Sequence, residues 1–189
     1  MTHTTHQDRY AATRERVLRL PSLAQESVGA TRAAQFHFLP SFHTEAAISV
    51  IEFSDMAAVV VRVPQRDIHA WEREVPAYGE HLKPRLPPKA FSETAWFPLS
   101  RLKGYQGAVE AMRVAPGLEV DAVACLDGDQ LEACFSEQEV EPYSHGTQDF
   151  THPGHPVSWQ VAKLAWEATE LEAVRKVVAH LKSSLKRAP

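Results

Sequence analysis

Glycine is scarce in this sequence, at 8 residues of 189. Few stretches can therefore bring a bare backbone close around a phosphate. No GxGxxG, P-loop, GxSxG or HExxH occurs, which excludes the dinucleotide, nucleotide, α/β-hydrolase and zincin sites built on those motifs. Cysteine is scarcer still. Cys125 and Cys134 are too few for a disulfide scaffold or a four-thiolate zinc site. They bracket LDGDQLEA, and neither turn register at Asp127-Gly128 sets them opposite each other, so both are expected as free thiols. No apolar run nears the roughly 20 residues that span a bilayer. MTHTTHQDRYAATRERVLRL has no apolar stretch of signal-peptide type. A cytoplasmic protein without membrane contact is expected. The last absence is of charge of one sign: Val114 to Ala162 holds nine acidic residues and neither lysine nor arginine.

What is present suits a core. Hydrophobic residues make up 44% and charged residues 23%, within the globular range. Residues 1–32 read as an N-terminal helical arm and linker, and 33–189 as a single α+β domain. Within it, AAQFHFLP, Ala46 to Phe53 and Ala57 to Val63 alternate as strands, with Ser54-Asp55 a tight turn. RDIHAWEREV has helical spacing, FSETAWFPL is a short strand and SRLKGYQGAVEAM a helix. VDAVACLDGDQLEACFS reads as a hairpin whose inner face is Val120, Ala122, Ala124, Leu126, Leu131, Ala133 and Phe135. From Pro156 to Leu185 apolar residues recur at helical steps, predicting one long helix with Trp166, Leu171, Val174 and Val178 buried. Together these predict an α+β fold: an antiparallel sheet of about five strands, helices on one side, and the long C-terminal helix packed on it.

The order FHTEAAISVIEF, ACLDGDQLEACF and a tryptophan-bearing last helix resembles small uncharacterised bacterial α+β domains that carry an FHxxxxxISV-like strand and an LDG hairpin. The likeness covers about residues 36 to 182 and implies the fold alone.

Two groups of residues invite chemistry. In EPYSHGTQDFTHPGHP, His145, His152 and His155 could offer imidazoles to a metal with Asp149. They are strung over a Pro- and Gly-rich stretch, which reads first as an exposed connection, so no metal or other cofactor is expected. In FHFLPSFHTE, His37, His43 and Glu45 could form a metal site or a base with its orienting carboxylate. A polar strand edge accounts for the same letters. The acidic run is the stronger signal: Asp121, Asp127, Asp129 and Glu132 are expected to leave the hairpin on its solvent side and attract a basic protein surface. The sequence thus predicts a non-catalytic protein-binding module, such as an immunity- or antitoxin-type inhibitor or regulator. The competing reading is a metal-dependent enzyme or metal-binding protein using the 145–155 loop and His37, His43 and Glu45. A net charge of −4 speaks against nucleic acid, and the last helix offers a seam for a homodimer.

Overall fold

The computed structural model describes residues 6–40, 43–73, 88–113, 129–137, 140 and 142–185. The strands are β1 (Arg32–Leu39), β2 (Ala46–Glu52), β3 (Met56–Pro64), β4 (Ala90–Pro98), β5 (Gln130–Phe135) and β6 (Tyr143–Gly146). The helices are α1 (His6–Leu18), α2 (Leu23–Glu26), α3 (Ile68–Arg73), α4 (Lys103–Arg113), α5 (His155–Ala168) and α6 (Glu172–Leu185). The strands form one six-stranded sheet in the order β4-β3-β2-β1-β5-β6, antiparallel at every junction. The first four make a meander. β5 then lies beside β1, on the edge opposite β2.

Period-two alternation sends Phe36, Phe38, Ile48, Val50, Val59, Val61 and Leu131 to one face, all of them buried. Tyr105 and Met112 of α4, Val161 and Ala165 of α5, and Val174, Val178, Leu181 and Leu185 of α6 close over them in one core. The apolar stripe of α6 lies inside its own fold, so the seam expected for a homodimer is occupied by the sheet.

The helical segment at the C-terminus is broken. Thr169 is extended (φ −114°, ψ 133°), and Glu93 Oε1 of β4 accepts the N–H groups of Glu170 (2.9 Å) and Leu171 (3.1 Å). A carboxylate on the two amides just before α6 satisfies donors that a continuous helix would have paired internally. Leu171, expected in the core, is 46% exposed at this corner. The letters TELE carry the T-x-x-E signature of a helix start, although Thr169 Oγ1 turns back to Trp166 O and Glu93 does the capping.

The sheet is covered on its second face as well. Val17 and Leu18 of α1 pack with Ala47 and Ile68 in a separate apolar cluster. α2, in the stretch expected as a linker, starts at a capping box of Ser22 and Gln25. It carries Glu26 down onto the strands. The Glu26 carboxylate accepts from Gln35 Nε2 (2.8 Å), Ser49 Oγ (2.9 Å) and Arg62 (3.0 Å). Gln35 also donates to Pro21 O at 2.9 Å, and Arg62 to Ser49 Oγ at 3.1 Å. A buried carboxylate is tolerated when its lone pairs are filled in this way.

The break at Thr169 and Glu170 separates two substitutions that a continuous helix would equate. Val178→Asp buries an unpaired charge and should cost about 4 kcal/mol or more, abolishing a cooperative transition. Leu171→Asp should change stability by only about 0.5 kcal/mol. Urea unfolding of the two variants beside wild type measures the difference.

Candidate functional site

The 145–155 stretch is the expected connection only in its middle, where residues 147–154 turn from β6 to α5 with Gln148, Asp149 and Thr151 exposed; its two ends belong to those elements. Tyr143 and His145 face inward from β6, a short strand that the sequence hides because its inward residues are polar or amphipathic. His145 is 5% exposed. Its Nδ1 is 2.8 Å from Gly146 O and its Nε2 is 2.8 Å from Ser158 Oγ on α5. A carbonyl only accepts, so Nδ1 carries the proton, while Nε2 lies against the Ser158 hydroxyl, whose single hydrogen it shares with Gly154 O. Ser158 Oγ also lies 3.0 Å from Gly154 O. The His152 ring stacks on His145 at 4.8 Å between centroids, 10° from parallel, and His155 meets His145 edge-on at 6.1 Å. Tyr143 closes the group, donating to Gly154 O at 3.3 Å. Gly154 is required here, because a methyl group would overlap the Tyr143 ring.

This arrangement has the letters of two chemistries and the geometry of neither. Stacked rings point their lone pairs side by side and do not converge on a point, and both nitrogens of His145 are engaged. Among the described residues no group of three His, Cys, Asp or Glu side chains is placed to hold a metal ion. Ser158 and His145 sit at nucleophile-to-base distance, yet Ser158 is 0% exposed, out of a substrate's reach. The pair ties β6 to α5. Burial pushes the His145 pKa down from 6.5 to about 4, and burial lowers His152 and His155 too.

His37, His43 and Glu45 are dispersed. His37 Nδ1 lies 3.7 Å from Glu132 on the second face. The His43 ring rests 4.0 Å from that of His180 on α6. Glu45 is buried and accepts the Ile68 N–H of α3 at 3.3 Å.

The acidic residues are likewise engaged inside the fold where they are described. Asp121 and Asp127, like the whole first strand of the expected hairpin, lie outside the described residues. Both edges of β5 are already taken, by β1 and β6. Asp129 accepts from His180 Nε2 (3.0 Å) and Ser184 Oγ (2.8 Å) of α6. Glu132 accepts from Arg14 of α1 at 3.1 Å. The nearby His37 ring, and after it the charge of Arg14, holds the Glu132 carboxyl below its usual range against the opposing effect of burial. Glu137 pairs with Arg32 and Arg113. Asp129 and Glu132 therefore do not share one solvent face: the first is bound to a helix on one side of the sheet, the second to a helix on the other. Cys134 is a free thiol, pushed up in pKa by burial and then by the Glu132 charge, the opposite of an activated nucleophile.

Of the two strands that end the sheet, β4 is the longer, at nine residues, and among the described residues no strand lies beside its outer edge. Gln65 N–H donates to Lys89 O at 2.7 Å and Leu99 N–H to Asp55 O at 3.3 Å, one at each end of the β3–β4 ladder. Bonded and non-bonded pairs alternate in an antiparallel ladder. With Pro64 opposite Ala90 and Met56 opposite Pro98, the odd-numbered residues of β4 bond to β3. The N–H and C=O groups of Ala90, Ser92, Thr94 and Trp96 point outward. Pro98 falls in the outward set, where a missing N–H costs the ladder nothing. Trp96 is 58% exposed beside Phe53, centroids 5.6 Å apart, and Leu171 flanks the strand on its other face at the Glu93 cap.

Two outcomes test these assignments. The unfolded chain takes up a proton on His145 near pH 6.5 that the folded chain refuses until about pH 4. Stability should be complete above pH 6.5 and fall by up to about 3 kcal/mol as pH drops through that window. His152 and His155 add in the same direction. His145→Gln should flatten the slope in denaturant titrations run on either side of it. Glu132→Lys places a second cation against Arg14, beside the His37 ring, and should destabilise by roughly 1–3 kcal/mol, where a solvated surface charge would shift stability by about 0.5.

No protein-family model, no curated protein and no solved structure matches this chain.

Proposed function

We propose that this chain is a non-catalytic protein-binding module whose recognition surface is the outer edge of β4 with Trp96 at its rim. The observation that carries the reading is the placement of Trp96: a large aromatic side chain, 58% exposed, on the strand whose outward backbone groups have no strand partner among the described residues. Tryptophan is enriched at interface hot spots, and an open strand edge supplies main-chain hydrogen bonds to an added strand. Natural edges are usually blunted by lysine, an internal proline or a bulge. The run from Ala90 to Phe97 has no proline or lysine, and its register with β3 is unbroken from Met56 to Pro64.

The reading does not rest on the acidic run, because Asp129 and Glu132 direct their charge to His180 and Arg14. The inhibitor or regulator role of immunity or antitoxin type expected from the sequence is one that such an edge can serve. A metal or catalytic role gains no support from His145, whose nitrogens and serine neighbour are enclosed.

Trp96→Lys keeps an exposed position exposed and adds an edge lysine, so folding should be preserved within about 0.5 kcal/mol. In affinity purification from the native host, wild type should retain a specific protein that this variant loses. Equal retention by the two baits would refute the β4 surface.

A further inference from the structure

Resting on that reading, we infer that the occupant of the β4 edge is a second copy of this chain, paired antiparallel across a two-fold axis at Thr94. An isologous contact requires the strand to be complementary to itself, and β4 is so in one register. Centring on Thr94 sets Thr94 against Thr94, Ser92 against Trp96, Phe91 against Phe97 and Glu93 against Ala95. The outward N–H and C=O groups belong to even-numbered residues, so this register brings outward group to outward group along the whole strand. Only the N–H that Pro98 lacks is missing.

Charge selects this register over its neighbour. Glu93 is the one ionisable residue between Ala90 and Pro98. Moving the axis one residue to Glu93 would set two carboxylates directly opposite, a destabilising pair. At Thr94 each carboxylate faces an alanine, and Glu93 Oε1 is already held by the Glu170 and Leu171 N–H groups. The aromatic cross-strand pair Phe91–Phe97 then extends the core face, with Leu171 above it. On the other face Trp96 gains cover from the partner's strand. Two of the large apolar side chains exposed in the monomer, Trp96 and Leu171, thus flank the one edge that self-association covers. The product is a continuous twelve-strand sheet, twice the six of the monomer.

Thr94 makes the test specific, because its side chain is exposed and its backbone does not bond to β3. Thr94→Pro removes an outward donor and leaves the β3 ladder intact. Thr94→Lys and Thr94→Glu each put like charges at the axis, and mixing them puts opposite charges there. In sedimentation velocity the wild-type full chain should run as a dimer. Each single variant should run as a monomer with an unchanged far-ultraviolet circular dichroism spectrum, its self-association weakened roughly tenfold or more. An equimolar mixture of the Lys and Glu variants should restore the dimer. Amide exchange by NMR should show Ser92, Thr94 and Trp96 protected in wild type and exposed in Thr94→Lys. A wild type that stays monomeric at high concentration, while Trp96→Lys still loses a host protein, would overturn the second copy and leave the binding surface standing. A dimer that survives Thr94→Lys and Thr94→Pro would overturn the β4 axis, and one that the Lys and Glu mixture fails to restore would overturn the Thr94 register.

Discussion

The Glu26 carboxylate lies against the middle of the sheet with its two oxygens divided among Gln35, Ser49 and Arg62. Those three residues come from adjacent strands, β1, β2 and β3. Without the carboxylate Gln35 would still have Pro21 O and Arg62 would still have Ser49 Oγ, but the Ser49 hydroxyl would lose its acceptor and Arg62 its counter-charge, at about 1–3 kcal/mol for a buried donor left unmade. The sheet therefore requires α2, and α2 in turn fixes the path by which α1 reaches Ala47 and Ile68. The second layer is a polar joint with a small apolar cluster beside it, whereas the first layer is a conventional apolar core. That difference explains why the first layer is legible as alternation and the second is not.

The same logic governs the segregation of charge along the chain. Nine acidic residues and no lysine or arginine lie between Val114 and Ala162, while basic residues are spread over the chain on either side of that run. In linear order this resembles an acidic surface beside a basic arm. In three dimensions the arm folds over the sheet and Arg14 meets Glu132, while Arg32 and Arg113 meet Glu137 and α6 brings His180 to Asp129. Opposite charges distant in sequence are complementary within one molecule. Partly buried pairs of this kind hold geometry more than they add stability, and here they fix where α1, α4 and α6 cross the strands.

Polarity is a poor guide to depth at both ends of the sheet. At the β6 end His145 and Ser158 are enclosed, each satisfied by the other and by backbone carbonyls. At the β4 end a tryptophan faces outward, and the rim's backbone groups have no strand partner among the described residues. Residue types that suggest chemistry are structural, and a residue type that suggests core stands at the surface. β4 also supplies Glu93 to the start of α6, so this edge is held in place by the helix layer and is not a loose strand.

Local physics alone determined the strands β1 to β3, their faces and the turn at Ser54-Asp55. Alternation with a period of two leaves one way to bury Phe36, Phe38, Val59 and Val61. It determined the α+β class and the apolar stripe of α6 for the same reason. Only the tertiary structure decided that this stripe begins anew after Thr169, because the capping carboxylate comes from Glu93, some seventy-seven residues earlier in the chain. The T-x-x-E letters were present, but a hydrophobic period running through them outweighs a cap. β6 and the histidine stack were equally out of reach: Tyr143 and His145 alternate, yet a histidine is inward only if a partner such as Ser158 satisfies it, and partners are chosen by folding. The fate of Asp129 and Glu132 belongs to the same class. A carboxylate's charge is written in the sequence, but which donor meets it depends on the packing of helices that lie 51 residues away for Asp129 and 118 for Glu132.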